Sequence, residues 1–310
     1  MLTSIIISSL ILSIIFTFVI QKKFIKNKII DKINNRSSHI SVATRSGGIS
    51  IFLTLFLISC YSYFYNNEIF DFSFLIPITL LVAVGLYDDL NKLDFKLKFI
   101  FQIIAAKIII DNGLVIDNFH GFAGIYELSR IAAQLVTVFI IVAIINSINF
   151  IDGIDGLAIS NVILFICGFE FFSNSNTDFY YLNFIILSSL IPIYYFNFRR
   201  KEKVFLGDSG SYLLGGIISL YVIYICSDKY IIKPEYDLNK ILFVFSILTY
   251  PIIDIIRIFF IRLKNKKSPF IADKNHIHHL IALKIKSHGL VTLIVIVSSL
   301  SFNFLINLIF

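Results

Sequence analysis

Charged residues and cysteines are both scarce in this chain of 310 residues. Only 15% of the residues are charged and 57% are hydrophobic, whereas soluble domains carry about 25% charged residues. This shortage of charge excludes a soluble globular domain, a disordered chain and a soluble nucleic-acid-binding protein. Glycine and proline, with 14 and 5 residues, are too few for a collagen-like chain. The three cysteines (Cys60, Cys167 and Cys226) form no CxxC pair, so they indicate neither a disulfide scaffold nor a metal site.

Long apolar runs take the place of the missing charges. A helix needs about 20 mostly apolar residues to cross a bilayer. By that measure the sequence predicts ten transmembrane helices, near residues 3–20, 47–65, 69–87, 95–111, 130–148, 154–173, 179–197, 205–226, 240–261 and 290–309. We therefore expect an all-α, polytopic integral membrane protein, with at most a short β-hairpin in an outward loop. Pro251 lies inside the ninth span and should kink it.

Lysine and arginine are distributed unevenly between the two ends of these spans. Most of the 27 Lys and Arg residues fall on one side, in segments near 22–45, 92–98, 199–203 and 257–286. Loops with excess Lys and Arg face the cytoplasm, so both termini should face outward. The net charge of +7 then reflects membrane topology, and we expect the lipid bilayer, and no nucleic acid, as a partner.

The polar residues that could carry chemistry lie on this same cytoplasmic side. They form five clusters, at 31–48, 88–89, 146–156, 205–211 and 268–280. The outward loops contain nothing comparable. A structural protein has no reason to gather carboxylates, amides, glycines and histidines at one membrane face. The sequence therefore predicts an enzyme, a single catalytic domain over 1–310, whose active site faces the cytoplasm.

Two adjacent carboxylates, Asp88 and Asp89, close the third predicted span. At a membrane boundary they repel each other and lose hydration, and a divalent cation or a nearby lysine would relieve both costs. The simpler explanation is a pair of interfacial helix caps.

The segment 146–156 reads NSINFIDGIDG. Asn146, Asn149 and Asp152 are spaced by three and share a helix face, and Asp155 follows at the next step of three. The two glycines allow tight turning or close approach of backbone. A polar loop between helices is the simpler explanation, and an EF-hand is a poor fit because the closing glutamate is missing.

The segment 205–211 reads FLGDSGS and places Asp208 between two glycines at the start of a predicted helix. Backbone amides exposed by the glycines, together with the helix dipole, could bind an anion. An ordinary N-cap is the alternative explanation.

Three histidines lie close together at His276, His278 and His279. No HExxH motif or cysteine partner accompanies them, and zinc would need a defined third or fourth ligand, so they favour anion binding or proton transfer. A structural or zinc role is the alternative explanation. Oxygen ligands, glycine turns and basic side chains together indicate Mg²⁺, or Mn²⁺ in its place, acting on phosphate. The position at a membrane surface suggests one soluble and one lipid substrate.

These motifs, in this order from Asp31 to Leu280, resemble the polyprenyl-phosphate N-acetylhexosamine-1-phosphate transferase family. Its members transfer a sugar-1-phosphate from a UDP-sugar to a polyprenyl phosphate and release UMP. The resemblance implies a Mg²⁺-dependent enzyme that uses a UDP-N-acetylhexosamine and undecaprenyl phosphate. It also implies the bacterial inner membrane and the first membrane step of a cell-envelope polysaccharide. The sequence leaves open whether the chain forms a homodimer.

The resemblance assigns roles to single residues. Asp88 and Asp89 match the family's acidic pair, and Asp88 would orient or deprotonate the lipid phosphate. Lys92 would bind a phosphate. Asn149 and Asp208 match the residues that hold Mg²⁺ against the diphosphate.

The same resemblance places Asp152 and Asp155 near the nucleoside, among the catalytic residues, and sets Phe205 where an aromatic ring can stack on uracil. The histidine motif would contact the diphosphate and the sugar, and basic side chains of the first loop would hold the lipid phosphate. The remaining catalytic residues of the predicted site are His276, His278 and His279. The remaining substrate-binding residues are Asn146, Arg36 and Arg45.

Three alternatives stay open. The nearest is the phospho-MurNAc-pentapeptide transferase of peptidoglycan synthesis, although SPFIADKNHIHHL at 268–280 resembles the GlcNAc-type members more. A multi-pass transporter would place its carboxylates near the midplane, where only Asp254 and Arg257 approach a span interior. An intramembrane prenyltransferase would show a second DDxxD-like motif, and this sequence has none.

Overall fold

Helices make up nearly all of the regular structure. The computed structural model describes residues 1–31, 42–236, 238–266 and 275–309. Within those ranges the elements are α1 (Leu2–Lys26), β1 (Ala43–Thr44), α2 (Gly47–Phe64), α3 (Leu75–Asn91), α4 (Phe95–Asp111), α5 (Arg130–Ile151), α6 (Leu157–Phe171), α7 (Tyr180–Phe198), β2 (Lys203–Val204), α8 (Gly207–Cys226), α9 (Lys240–Ile247), α10 (Thr249–Lys264), α11 (Ile277–Ile285) and α12 (His288–Ile309). Short 3-10 turns occur at Phe72–Phe74, Phe122–Gly124 and Pro234–Tyr236.

The number of membrane spans differs from the prediction. Seven of the described helices are long and apolar enough to cross a bilayer, or eight if α9 and α10 form one span. The predicted count of ten is therefore not reached by length and composition among the described residues, although every predicted segment is helical. Helix α6 has 15 residues, and α4 has 17 and contains Lys96, Lys98 and Lys107. Neither offers the about 20 mostly apolar residues that a span requires. The all-α, multi-pass architecture is confirmed.

The ninth predicted span is broken rather than merely kinked. Helices α9 and α10 meet at Leu248 with a bend of 85°. Pro251 lies in the first turn of α10, where a backbone N–H would have no acceptor within the helix. The proline is therefore compatible with the start of the second helix and incompatible with one continuous helix through this point.

Helix α8 lies in the interior of the bundle, and every residue of its 18-residue apolar window is buried. Glycines on the neighbouring helices let the backbones approach closely. A Cβ at Gly48 of α2 would lie 2.0 Å from the Gly210 nitrogen, and one at Gly85 of α3 would lie 2.5 Å from the Asp208 carbonyl oxygen. Small residues permit such crossings between membrane helices. These contacts fix the first turn of α8 against α2 and α3.

Gly48→Ala is expected to destabilise the bundle strongly. Overpacking costs about 1–3 kcal/mol when side chains can yield, and here the obstruction is the backbone of α8. Thermal unfolding of the purified protein in detergent measures the effect. Gly289→Ala is the matched control, because its Cβ would lie at an ordinary 3.7 Å from Phe198. Equal unfolding temperatures for the two variants would contradict the tight α2–α8 crossing.

A two-residue parallel ladder joins the segment before α2 to the segment before α8. Ala43 pairs with Lys203, and Thr44 pairs with Val204. This ladder lies at the end of the bundle where α3 and α5 finish and α4 and α8 begin. It therefore brings the first loop beside the motif that starts α8.

The loop between α4 and α5, at the opposite end, folds back on itself. The Phe119 amide donates to the Tyr126 carbonyl at 2.9 Å, and the Leu128 amide donates to the Asp117 carbonyl at 2.8 Å. The pairing amounts to one isolated antiparallel bridge. The short hairpin predicted for an outward loop is present only in this reduced form.

Candidate active site

Four helix ends bring together a group of side chains that we call the acid cluster: Asp88, Lys98, Asn149 and Asp208. Asp88 and Asn149 lie in the last turns of α3 and α5, and Lys98 and Asp208 lie in the first turns of α4 and α8. Residues 110 positions apart in sequence are therefore hydrogen-bonded here. The predicted residues Asp88, Asn149 and Asp208 do meet, and they meet around a lysine that was not predicted.

Lys98 bridges the two carboxylates. Its Nζ lies 2.5 Å from Asp88 Oδ2 and 3.0 Å from Asp208 Oδ2. The Leu93 amide donates a 2.5 Å hydrogen bond to the other oxygen of Asp88 and so fixes that carboxylate. Only 19% of the Lys98 side chain is exposed, so water screens the ion pairs less than at an open surface.

Sequence reasoning missed Lys98 because Lys92 and Lys96 lie beside it, and all three fit the topological excess of basic residues. The spacing between Lys98 and Gln102 could have identified it. Gln102, four residues further along α4, is buried and exchanges amide hydrogen bonds of 2.8 and 3.4 Å with Asn146. Residues four apart share a helix face, so Lys98 belongs to the face that packs on α5. Asn146 itself is engaged in this contact between helices.

The acid cluster contains oxygen donors of the kind that a divalent cation takes. Asn149 Nδ2 donates to Asp208 Oδ1 at 3.1 Å and to Ser211 Oγ at 2.8 Å, which leaves the Asn149 amide oxygen as an acceptor. With the carboxylates of Asp88 and Asp208 it offers the hard oxygen ligands that Mg²⁺ takes. Among the described residues, no three His, Cys, Asp or Glu side chains are grouped to hold a metal. Asp88, Asp208 and Asn149 would nevertheless supply oxygen donors of the kind that the expected ion takes, and in this structure the two carboxylates share the Lys98 ammonium.

Asp89 has a different environment from its neighbour Asp88. Its carboxylate accepts hydrogen bonds from the Asp208 amide at 2.9 Å and from the Ser209 amide and hydroxyl at 3.0 Å. Arg45 Nη1 approaches it at 3.6 Å, and only 1% of the Asp89 side chain is exposed. A carboxylate at a helix N-terminus satisfies orphan amides and is stabilised by the helix dipole. Asp89 thus holds the first turn of α8 in place.

Asp155 is held by groups from two distant parts of the chain. Its carboxylate forms an ion pair with Lys203 of β2 and lies 3.0 Å from His288 Nδ1, and its carbonyl accepts from Thr292 Oγ1 at 2.8 Å. Burial opposes ionisation, but the hydrogen bonds from His288 and Lys203 outweigh it and lower the pKa of Asp155. The ionised side chain anchors the segment 152–156 to β2 and α12.

Asp152 lies at the other end of this segment and is half-buried. Burial raises its pKa well above the usual value, and the nearby charges of Asp208 and Asp89 act in the same direction. Asp152 therefore belongs electrostatically to the surroundings of the acid cluster, whereas Asp155 is tied to β2 and α12.

The histidine motif is positioned by α10. His276 Nδ1 lies 2.6 Å from Asp254 Oδ2, and the Ile277 amide donates to Asp254 Oδ1 at 2.8 Å. Asp254 is almost completely buried. Asp254, which the transporter alternative would place inside a span, therefore orients His276. Arg257, the other residue of that alternative, donates from Nη1 to the Asn275 carbonyl at 2.7 Å.

The two ring nitrogens of His278 have different surroundings. Its Nδ1 lies 2.7 Å from the Tyr250 hydroxyl, while its Nε2 is buried without a hydrogen-bond partner in the described part of the chain. Burial lowers the pKa of His278 to about 3, and the neighbouring His279 adds to that effect, so the ring is neutral near pH 7. A Cβ at Gly153 would lie 3.0 Å from the His279 ring and 3.5 Å from His278 Nε2. The histidines therefore lie against the segment that carries Asp152.

The other predicted binding residues are more dispersed. Arg45 pairs with Asp31 at 2.8 Å as well as approaching Asp89. Lys92 is exposed at the C-terminal end of α3 with a left-handed φ of 56°. Phe205 is half-buried in the turn between β2 and α8. Arg36 lies outside the described residues.

Known proteins similar to this chain point to one family. The family described as glycosyl transferase family 4 matches residues 72–226. An undecaprenyl-phosphate alpha-N-acetylglucosaminyl 1-phosphate transferase of Thermotoga maritima is 32% identical over 302 residues, covering 95% of this chain and 87% of that protein. A protein of the same name from Yersinia pestis is 30% identical and covers 87% and 73%. The decaprenyl-phosphate N-acetylglucosaminephosphotransferase of Mycobacterium leprae is 27% identical and covers 84% and 71%.

Proposed function

This chain belongs to glycosyl transferase family 4, the family that its motifs predict, and from that premise we propose the reaction it catalyses. It transfers an N-acetylhexosamine-1-phosphate from a UDP-sugar to undecaprenyl phosphate, releases UMP and forms a polyprenyl-diphosphate sugar. The observation that carries the proposal is the acid cluster at the ends of four helices. The names of the relatives support a polyprenyl phosphate acceptor and favour N-acetylglucosamine as the sugar. They give no support to a transporter.

The excess of basic loop residues supports a cytoplasmic location for the acid cluster. The Lys and Arg residues near 22–26 and 199–203 flank the same end of the bundle as Asp88 and Asp208. Nucleotide sugars are soluble and highly charged, so this face gives the enzyme access to them. We therefore place the enzyme in the bacterial inner membrane, with its active site toward the cytoplasm.

The reaction is a direct phosphoryl transfer, in which positioning and charge neutralisation matter most. An oxygen of the lipid phosphate attacks the β-phosphorus of the UDP-sugar, and the bond from that phosphorus to the UMP oxygen breaks with its electron pair on UMP. Lys98 binds phosphate oxygens, and Asp88 orients the acceptor phosphate and takes up its proton if one is present. His278 Nε2 is the ring nitrogen that can exchange a hydrogen bond with a polar group of the sugar. Isolation of an enzyme phosphorylated on Asp88 would overturn direct attack.

Asp208 and Asn149 would hold the divalent cation of this reaction. When bound, Mg²⁺ neutralises charge on the diphosphate of the donor and stabilises the leaving group. The oxygen donors of the acid cluster support this assignment, and Mn²⁺ has the same ligand preferences.

UMP release by the purified protein in detergent is expected to require a UDP-sugar, undecaprenyl phosphate and Mg²⁺ together. Omitting the lipid or chelating the metal with EDTA should reduce release to background, because neither the nucleophile nor the charge neutralisation is then present. The donor panel contains UDP-GlcNAc, UDP-GalNAc, UDP-QuiNAc, UDP-FucNAc and UDP-MurNAc-pentapeptide. Release without lipid, or no release with any donor from folded protein, would contradict the proposal. Preference for the pentapeptide donor would identify the peptidoglycan enzyme instead.

A further inference from the structure

A groove of about 440 Å³ lies between α6, α7 and α12. Aromatic and aliphatic side chains form much of its lining, among them Tyr194, Phe198, Leu293 and Ile296. Its volume falls in the range of about 300–1,000 Å³ that is typical of small-molecule sites. From Gly289 to Ile296 it follows about 10 Å of α12, from the helix start toward the middle of the helix. An apolar chain entering from the membrane would fit this shape.

Groove residues contact the segment that carries Asp155. Thr292 lines the groove and donates its hydroxyl to the Asp155 carbonyl at 2.8 Å. A Cβ at Gly156 would lie 2.3 Å from the Phe198 ring, so this ring packs directly on the segment. His288, which holds the Asp155 carboxylate, immediately precedes the groove residue Gly289. A molecule in the groove would therefore touch the residues that anchor the segment 152–156.

Basic residues adjoin two lining residues at one end of the groove, which we call the basic mouth. The run RRK at 199–201 directly follows Phe198, and Lys286 shortly precedes Gly289. A Cβ on Gly289 would lie 3.7 Å from the Phe198 ring, so these two residues are neighbours in space. The basic residues beside each of them in sequence therefore flank the same end of the groove. Lys286 and most of the run are exposed. Basic pockets between membrane helices bind anionic lipid head groups.

We propose that this groove binds one anionic phospholipid, with an acyl chain between α7 and α12 and the head group on the basic mouth. By stabilising the segment 152–156, the bound lipid tightens the binding of the nucleotide sugar. The effect on substrate rests on the proposed function, whereas the lipid binding does not. The acceptor lipid is a different occupant, because its phosphate is assigned to Asp88 and Lys98 on α3 and α4, which do not line the groove.

Native mass spectrometry of the purified protein tests the binding, with phosphatidylglycerol and phosphatidylcholine as probes. The wild type should retain phosphatidylglycerol in preference to phosphatidylcholine. That preference should disappear in the triple variant Arg199→Gln, Arg200→Gln and Lys201→Gln. The control removes the same charge from exposed residues at the opposite end, with Lys107→Gln, Arg130→Gln and Lys229→Gln. Equal retention in all three proteins, or displacement of phosphatidylglycerol by equimolar undecaprenyl phosphate, would overturn the site.

Kinetics in nanodiscs test the coupling. Replacing phosphatidylcholine by phosphatidylglycerol should lower the KM for the nucleotide sugar about fivefold in the wild type, with a smaller change in kcat. The KM of the triple variant should not respond to lipid composition. Thr292→Val should keep the lipid but lose most of the KM response, because the bond from the groove to Asp155 is missing. Soluble glycerol 3-phosphate should have no effect.

The outcomes separate the two proposals. Retained phosphatidylglycerol without any turnover would sink the proposed reaction and leave the lipid site standing. Normal turnover with a KM that ignores phosphatidylglycerol would overturn the coupling. A KM lowered by glycerol 3-phosphate alone would mean that the basic mouth binds a free phosphate group, which would overturn the lipid as occupant.

Discussion

Asp208→Asn is expected to reduce UMP release on the order of a thousandfold, the scale of losing a main electrostatic contact to a transition state. The substitution removes one of the two carboxylates that share the Lys98 ammonium, and it can turn an amide toward that ammonium. The cluster of Asp88, Lys98 and Asp208 then changes from a net charge of −1 to neutral. Both the affinity for a divalent cation and the charge neutralisation of the diphosphate should therefore fall.

The same variant should stay folded. The first turn of α8 is held by the carboxylate of Asp89 on the amides of residues 208 and 209, and these bonds do not involve the Asp208 side chain. Thermal unfolding should therefore change little while turnover is lost. Asp94→Asn is the matched control: Asp94 is exposed at the same end of the bundle and makes no capping bond with its side chain. Near-normal turnover in Asp208→Asn would contradict the assignment of Asp208 to the metal.

The helices and the end of the bundle that carries the site could be predicted from sequence for a physical reason. In a bilayer every backbone polar group must be satisfied internally, so a run of about 20 apolar residues has little choice but to form a helix. Polar residues at the ends of such runs then lie at the same membrane face whatever the details of packing. Asp88, Asn149 and Asp208 all belong to polar groups of this kind, so the sequence predicts that they lie at one face.

Roles that depend on tertiary contacts could not be predicted. Asp88 and Asp89 are indistinguishable as a sequence pair, yet adjacent helical residues point about 100° apart. One faces the acid cluster and the other caps α8, a helix whose position depends on glycine contacts with α2 and α3. Asp152 and Asp155 are likewise equivalent in the sequence motif. Only the tertiary structure shows that Asp155 contacts Lys203 of β2 and His288 of α12.

The span count failed for a related reason. Helix α6 has only 15 residues, which are mostly apolar but include Ser160, Asn161 and Glu170, and one of its faces is buried in the bundle. Apolar runs in a sequence do not show where a helix begins and ends, so they overestimate the length of a short helix such as α6. The break at Leu248 likewise needs the geometry of two helices, because Pro251 alone predicts a kink and not a bend of 85°.

Lys98→Gln is expected to lower turnover about a hundredfold or more, comparable with the loss of one preorganised charge in an active site. The ammonium holds Asp88 and Asp208 together and is the charged donor closest to both. Without it the two carboxylates repel each other, and phosphate oxygens lose a cationic partner. Lys98→Arg keeps the charge and should restore part of the activity, although the planar guanidinium cannot reproduce the point contact of Lys98.

Lys96→Gln is the control. Lys96 lies on the same turn of α4 but is exposed on a different face, and its substitution removes the same charge. Its kcat and KM values should stay near those of the wild type. Thermal unfolding separates the catalytic effect from a structural one. Mg²⁺ should raise the unfolding temperature of Lys98→Gln more than that of the wild type, since a bound cation stabilises the folded state and Lys98 no longer competes for the carboxylates. If added Mg²⁺ restored turnover as well as stability, Lys98 would only offset the charge of Asp88 and Asp208. If stability returned without turnover, Lys98 would act on the phosphate itself, which is the outcome we expect.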